Sequence, residues 1–219
     1  MAKIISVYNG KNRFDYLLSG TLGDKVYFVR NGIQYTRNRP IHNIKPKSEA
    51  QLDQRARFNA VMNFLQPLTI FLRVGFKNDK ISMSPFNAAM SYNFKNSIAG
   101  TYPSYEMDYS KVRVSQGSLP GALNPQVRLT FGGQIEYTWD DNSFEPDSRA
   151  DDSVLLVVYN SSKQQAVFSV EGNPRYFGSQ LIVLPETFEG DEVQCYIAFQ
   201  NQRQTVFSNS QYIGSIVVS

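Results

Sequence analysis

Between Ser48 and Phe76 (SEAQLDQRARFNAVMNFLQPLTIFLRVGF) apolar residues recur at helical spacing, in a chain that elsewhere reads as strands and turns. Leu52, Ala56, Ala60, Phe64 and Leu68 fall every fourth residue, and Val61, Leu65 and Leu72 widen them into one broad face, which predicts an amphipathic helix. Ser48 with Gln51 three positions on is a capping-box pair. Pro67 lacks an N–H and its ring clashes with the carbonyl four residues back, so the pattern predicts a kink or break there.

Before this helix, KVYFVR (25–30) and IQYTR (33–37) read as strands around Asn31-Gly32, a pair suited to a two-residue type I′ turn. A lone two-stranded hairpin is marginal in water, so this one is expected to lean on the helix, on the β region or on a neighbouring subunit. Residues 1–17 read as irregular and polar, with Asn9-Gly10 as a turn signal. Residues 37–47 (RNRPIHNIKPK) have two prolines and no apolar period, which predicts an extended strap. A solvated linker, a nucleic-acid contact and an arm laid over another subunit all fit that composition.

After the helix, Asn78-Asp79 and Ser84-Pro85 mark turns, and a second helix is expected over Phe86–Ile98. Ser84 would cap it, Pro85 open it and Gly100 close it, with Ala88, Ala89 and Tyr92 toward the first helix. From about Tyr105 the period switches to two. Strands are expected near Lys111–Ser115, Gln126–Phe131, Gln134–Trp139, Ser153–Tyr159, Ala166–Val170, Ser179–Leu184, Val193–Gln200 and Tyr212–Val218. Short strands at this spacing predict an antiparallel β-sandwich. In the seventh of them Val193, Cys195, Ile197 and Phe199 point one way and Gln194, Tyr196 and Ala198 the other. Trp139, the single tryptophan, is expected in the sandwich core. The whole is an α+β chain in three segments: a basic arm with a hairpin (1–47), a helical segment (48–104) and a β-sandwich (105–219).

Charge sharpens that division. Residues 1–57 hold eleven Lys/Arg and four Asp/Glu, a net of +7, while residues 58–219 hold eleven and fifteen, a net of −4. A basic head on an acidic body points to a polyanion partner or to head-to-body contact between subunits. No apolar run approaches the roughly 18 residues of a membrane span. The start, MAKIISVYNGKNR, lacks the features of an export signal, so a cytoplasmic site of synthesis is expected.

Candidate chemistry is sparse. A single cysteine, Cys195, excludes an internal disulfide, and with one histidine, His42, it cannot make the usual zinc sets. No glycine-rich phosphate loop and no G-x-S-x-G are present. The acidic stretch 140–152 has carboxylates suited to Ca²⁺ but lacks the EF-hand glycine and closing glutamate, so it reads first as a solvated loop. Neither an enzymatic activity, a cofactor nor a small-molecule substrate is expected. Arg30, Arg37, Arg39, Lys45, Lys47, Arg55 and Arg57, interleaved with Tyr27, Phe28 and Tyr35, could form a phosphate-contacting surface with stacking platforms. Arg55 and Arg57 lie about 200° apart on a helix and cannot both face one ligand directly. Tyr176 and Phe177, beside Gly172-Asn173-Pro174, are candidates for a glycan contact.

Several stretches carry a resemblance: QRARF (54–58), FLQPL (64–68), FNAAMSYN (86–93), GTYP (100–103), DYSKV (108–112), SQGSLPGALNP (115–125), TWDDNS (138–143), CYIAF (195–199) and SNSQYIG (208–214). In this order they resemble an uncharacterised family widespread in Bacteroidota, described only as a domain of unknown function. The resemblance runs from about residue 20 to the C-terminus. Residues 1–19 depart from it, being longer and more polar than the glycine-rich start usual in the family. The resemblance implies an immunoglobulin-like or fibronectin type III-like sandwich and brings no catalytic residues. The expected function is a non-catalytic building block of a multi-subunit assembly, such as a phage virion component of head or tail. Its partners would be itself or other structural subunits, since a heterologous arm contact builds rings or filaments. The alternative is a binding module, for nucleic acid through the basic arm or for surface glycan through the sandwich.

Overall fold

The computed structural model describes residues 3–8, 14–30, 32–40, 48–77 and 83–219, which divide into two compact units, 1–47 and 48–219. The strap residues 41–47, with His42, Lys45 and Lys47, lie outside the described residues, as do Asn9-Gly10, Asn31 and Asn78-Asp79.

The first unit is a four-stranded antiparallel meander, β1 (Lys3–Tyr8), β2 (Phe14–Leu22), β3 (Lys25–Arg30) and β4 (Ile33–Asn38), in sequential order. The described part of 1–17, residues 3–8 and 14–17, is therefore strand rather than irregular. KIISVY and FDYLLSGTL carry short apolar runs, and antiparallel pairing with each other makes strands of them, from Lys3↔Ser19 to Tyr8↔Phe14. The β3–β4 hairpin forms as the sequence predicts, with Arg30 opposite Ile33 and Gly32 at φ 77°. The hairpin thus leans on β2 within its own unit.

In the second unit α1 (Glu49–Leu65) opens with the predicted capping box: the Gln51 N–H donates to Ser48 Oγ and the Ser48 N–H to Gln51 Oε1. Pro67 does break the helix. A 3₁₀ turn at Gln66–Leu68 joins α1 to α2 (Thr69–Gly75). The apolar face is buried only from Val61 onward. Leu52 and Phe58 are exposed, because the first three turns are tied instead to a small hairpin, β5 (Ile98–Thr101) and β6 (Ser104–Met107), through Tyr105. The third helix, α3 (Pro85–Asn96), has Ser84 as its cap, as expected. It ends at Ser97 rather than Gly100, which has φ 85° and lies within β5 opposite Tyr105.

Lys111–Ser115 is not a strand. A 3₁₀ turn occupies Tyr109–Lys111, the Val112 N–H closes it on the Tyr109 carbonyl, and the next two go to side chains: Arg113 donates to Asn93 Oδ1 at 2.9 Å and Val114 to Ser210 Oγ at 3.0 Å. Groups satisfied in this way need no neighbouring strand. The other seven predicted strands are present as β7 (Leu123–Thr130), β8 (Gln134–Asp140), β9 (Ser153–Asn160), β10 (Gln165–Ser169), β11 (Ser179–Val183), β12 (Glu192–Gln200) and β13 (Gln211–Val217). They form sheets β10-β9-β12-β13 and β11-β8-β7, a four-plus-three sandwich of the fibronectin type III kind.

The four-stranded sheet is covered on both faces. Val154, Leu156, Val158, Cys195, Ile197 and Phe199 pack toward β7, β8 and β11 with Ile135, Tyr137 and Trp139. Leu155, Val157, Tyr159, Tyr196 and Ala198 pack against Val61, Phe64, Leu65, Leu68, Phe71 and Leu72 of the helices. Each fully buried Val, Leu, Ile or Phe among them contributes about 1.5–3 kcal/mol relative to exposure. Residues 48–104 and 105–219 thus share a core, and the unit has three layers: helices, sheet, sheet.

Candidate interaction surface

Of the predicted basic residues, two come together. Strand alternation and register put Val26, Phe28 and Arg30 of β3 on one face with Arg37, Tyr35 and Ile33 of β4 directly opposite them. Phe28 and Tyr35 stack on each other, with ring centroids 5.5 Å apart and planes at 17°. Both rings are exposed, at 39% and 44%. Arg30 and Arg37 stand one same-face position away from this pair, on opposite sides. Tyr27, grouped with these aromatics by sequence, lies on the other face with Val29 and Gln34. Arg39 follows β4, and its N–H donates to the Asp24 carbonyl at 2.6 Å.

The two helical arginines are placed in the second unit and differ from each other. Arg57 Nε donates to Tyr105 Oη at 3.1 Å and lies 3.2 Å from Asp53 Oδ2, with its guanidinium 5.0 Å from the Tyr105 ring centre. These contacts, led by the Tyr105 hydrogen bond, push its pKa up. Tyr105 in turn donates to Asp53. Arg57 is therefore committed to holding α1 on the β5–β6 hairpin. Arg55 is exposed beside Ala50, Gln51, Gln54 and Phe58.

The loop end of the sandwich holds a feature that the sequence does not announce. Arg175, in the 3₁₀ turn Arg175–Phe177, is fully buried. Its Nη1 donates to Gly121 O (2.9 Å) and Asn142 Oδ1 (2.6 Å), its Nη2 to Pro120 O (2.9 Å), and its Nε to Asp152 Oδ2 (3.3 Å). The guanidinium lies 3.9 Å over the Phe199 ring, and Trp139 Nε1 donates to the Arg175 carbonyl at 2.7 Å. Burial pushes the Arg175 pKa down, and Asp152 opposes that shift. One cation in the β10–β11 loop thus ties two further loops, the segment before β7 and the β8–β9 loop, to the core.

Asp152 is the carboxylate of the acidic stretch 140–152 that joins this network, and neighbouring ones find local donors. Asp140 accepts from Asn124, Asp141 from the Ser143 N–H, and Asp152 from Arg175 and the Arg149 N–H. Among the described residues no group of three or more His, Cys, Asp or Glu is placed to hold a metal ion. A cleft of about 540 Å³ at this end has mixed charge, with Asp147, Asp151 and Asp152 beside Arg149 and Arg203. Tyr176 and Phe177 are exposed, at 60% and 58%. Cys195 is buried between the sheets, where burial pushes its thiol up to about 11. No described helix is long and apolar enough to cross a membrane.

The molecule is thus an α+β protein with a helix-backed β-sandwich and a basic β-meander carrying an aromatic pair. It belongs to a family of unknown function (DUF6266), whose pattern matches residues 17–214. No curated protein matches the chain.

Proposed function

We propose that this protein is a non-catalytic building block of a multi-subunit assembly, joined through its N-terminal sheet. The observation that carries this reading is that residues 17–30 and 32–40 include no buried side chain, although they make most of three strands. A sheet normally hides at least one face against a second layer. Among the described residues of this unit no second layer packs on the face opposite the Phe28–Tyr35 pair, which carries Leu18, Tyr27 and Val29 and is suited to cover by another subunit. Charge favours a second copy, since residues 1–47 carry a net of +7 and residues 48–219 a net of −4. Opposite surfaces on one chain suit head-to-body contact, the heterologous kind that forms rings or filaments.

The finer reading is a phage virion component of head or tail, which rests on the analogy of a sandwich body with a docking arm. Light scattering on the full-length protein at low and high salt tests the assembly. A defined oligomer is expected, and a version comprising residues 48–219, which has its own two-sided core, is expected to be a folded monomer. A full-length mass of 24.9 kDa under all conditions would overturn the reading.

A further inference from the structure

We propose that the Phe28–Tyr35 face of the N-terminal sheet binds single-stranded nucleic acid. Two near-parallel exposed rings standing on a sheet offer a flat apolar surface to which a base can add, and every base has such a face. Arg30 and Arg37 flank the rings at about 7 Å along the strands, one toward the Gly32 turn and one toward the far end. Phosphates on either side of a stacked base therefore meet a guanidinium.

The surroundings suit a polyanion. Asp24, in the turn between β2 and β3, is the only acidic residue between positions 17 and 40. A duplex keeps its bases stacked on one another and leaves these rings nothing to stack on, so the occupant is single-stranded. An acidic protein segment would engage the arginines but leave the aromatic pair unexplained. The inference does not rest on assembly, because it uses the face opposite Leu18, Tyr27 and Val29.

The test uses the full-length chain, labelled oligothymidylate and oligouridylate, and fluorescence anisotropy at about 50 mM salt. Phe28→Ala and Tyr35→Ala are each expected to weaken binding about 5- to 150-fold, the range for losing one base stack. Affinity for heparin, which has no bases, should stay within about twofold of wild type in the same variants, which also checks that the sheet is intact. The Arg30→Gln/Arg37→Gln double variant should lower both affinities and flatten the salt slope by about 1.4, two single-strand phosphate contacts' worth. A preference between the two oligonucleotides assigns DNA or RNA. Failure of the wild type to bind either, unchanged affinity in both aromatic variants, or equal binding of polyglutamate would each overturn the proposal. Light scattering on the same variants reads assembly separately, so failure of one idea does not carry the other down.

Discussion

Arg175→Met should be among the most damaging single changes in the second unit. It removes a side chain with no exposed surface and keeps most of its aliphatic volume, so the loss is electrostatic rather than a large cavity. The Pro120 carbonyl and Asn142 Oδ1 lose the guanidinium donor, the Gly121 carbonyl is left with Asn142 Nδ2 alone, and the Asp152 carboxylate keeps the Arg149 N–H but loses its counter-charge. Removing one partner of a buried ion pair costs about 3–5 kcal/mol, because the other charge stays behind in a low-dielectric site. For a unit of this size that corresponds to a fall in Tm of about 6–20 °C. Trp139 gives a convenient signal: it is the only tryptophan and donates to the Arg175 carbonyl, so its fluorescence follows this end of the sandwich in urea. Adding Asp152→Asn to Arg175→Met should restore part of the loss by removing the stranded charge. A loss below about 1 kcal/mol for Arg175→Met, within reach of ordinary surface changes, would refute this account of the loop end.

Two further outcomes follow from titratable groups. The Cys195 thiol, buried and pushed up to about 11, should not react with a disulfide reagent at neutral pH in the folded protein, and should react fully once urea unfolds it; prompt native labelling would place it elsewhere. Asp108, hydrogen-bonded by Lys111 and Ser110, and Asp191, hydrogen-bonded by Lys163 and Asn160, are both held below the ordinary aspartate value. A lowered folded-state pKa means their stabilisation is complete above the unfolded value and is lost as pH falls through the folded one. Tm should therefore drop on acidification below about pH 4, and Asp191→Asn should make that drop shallower; an unchanged acid limb would count against the pairing.

The basic surface was legible only in part. Sequence supplied Arg30, Arg37, Phe28 and Tyr35, and strand alternation with a two-residue turn was enough to put them on one face. Those same rules separate Tyr27 from them, since a period of two sends neighbouring residues to opposite faces. Arg57 could not be assigned in advance. Its partner Tyr105 is 48 residues away, and only the fold brings a β-hairpin against the start of α1. Arg175 was harder still, because a lone arginine after Gly172-Asn173-Pro174 reads as a solvated loop cation. Its partners Pro120, Gly121, Asn142 and Asp152 come from distant loops that converge only in the assembled sandwich.

What the sequence by itself determined is local: the capping box at Ser48, the break at Pro67, the β3–β4 pairing, seven sandwich strands and the split of charge between head and body. These follow from backbone chemistry and side-chain period, which act over a few residues. What only the tertiary structure decided is which surfaces meet. β12 shows two unlike faces in sequence, yet that both are buried, one by Trp139 and its sheet and the other by Phe64 and the helices, depends on layers formed far along the chain. The same holds for the exposed start of α1, whose apolar period predicts a buried face while Leu52 is left outside. Periodicity says which side of an element prefers to leave water; whether anything is there to receive it is settled by packing.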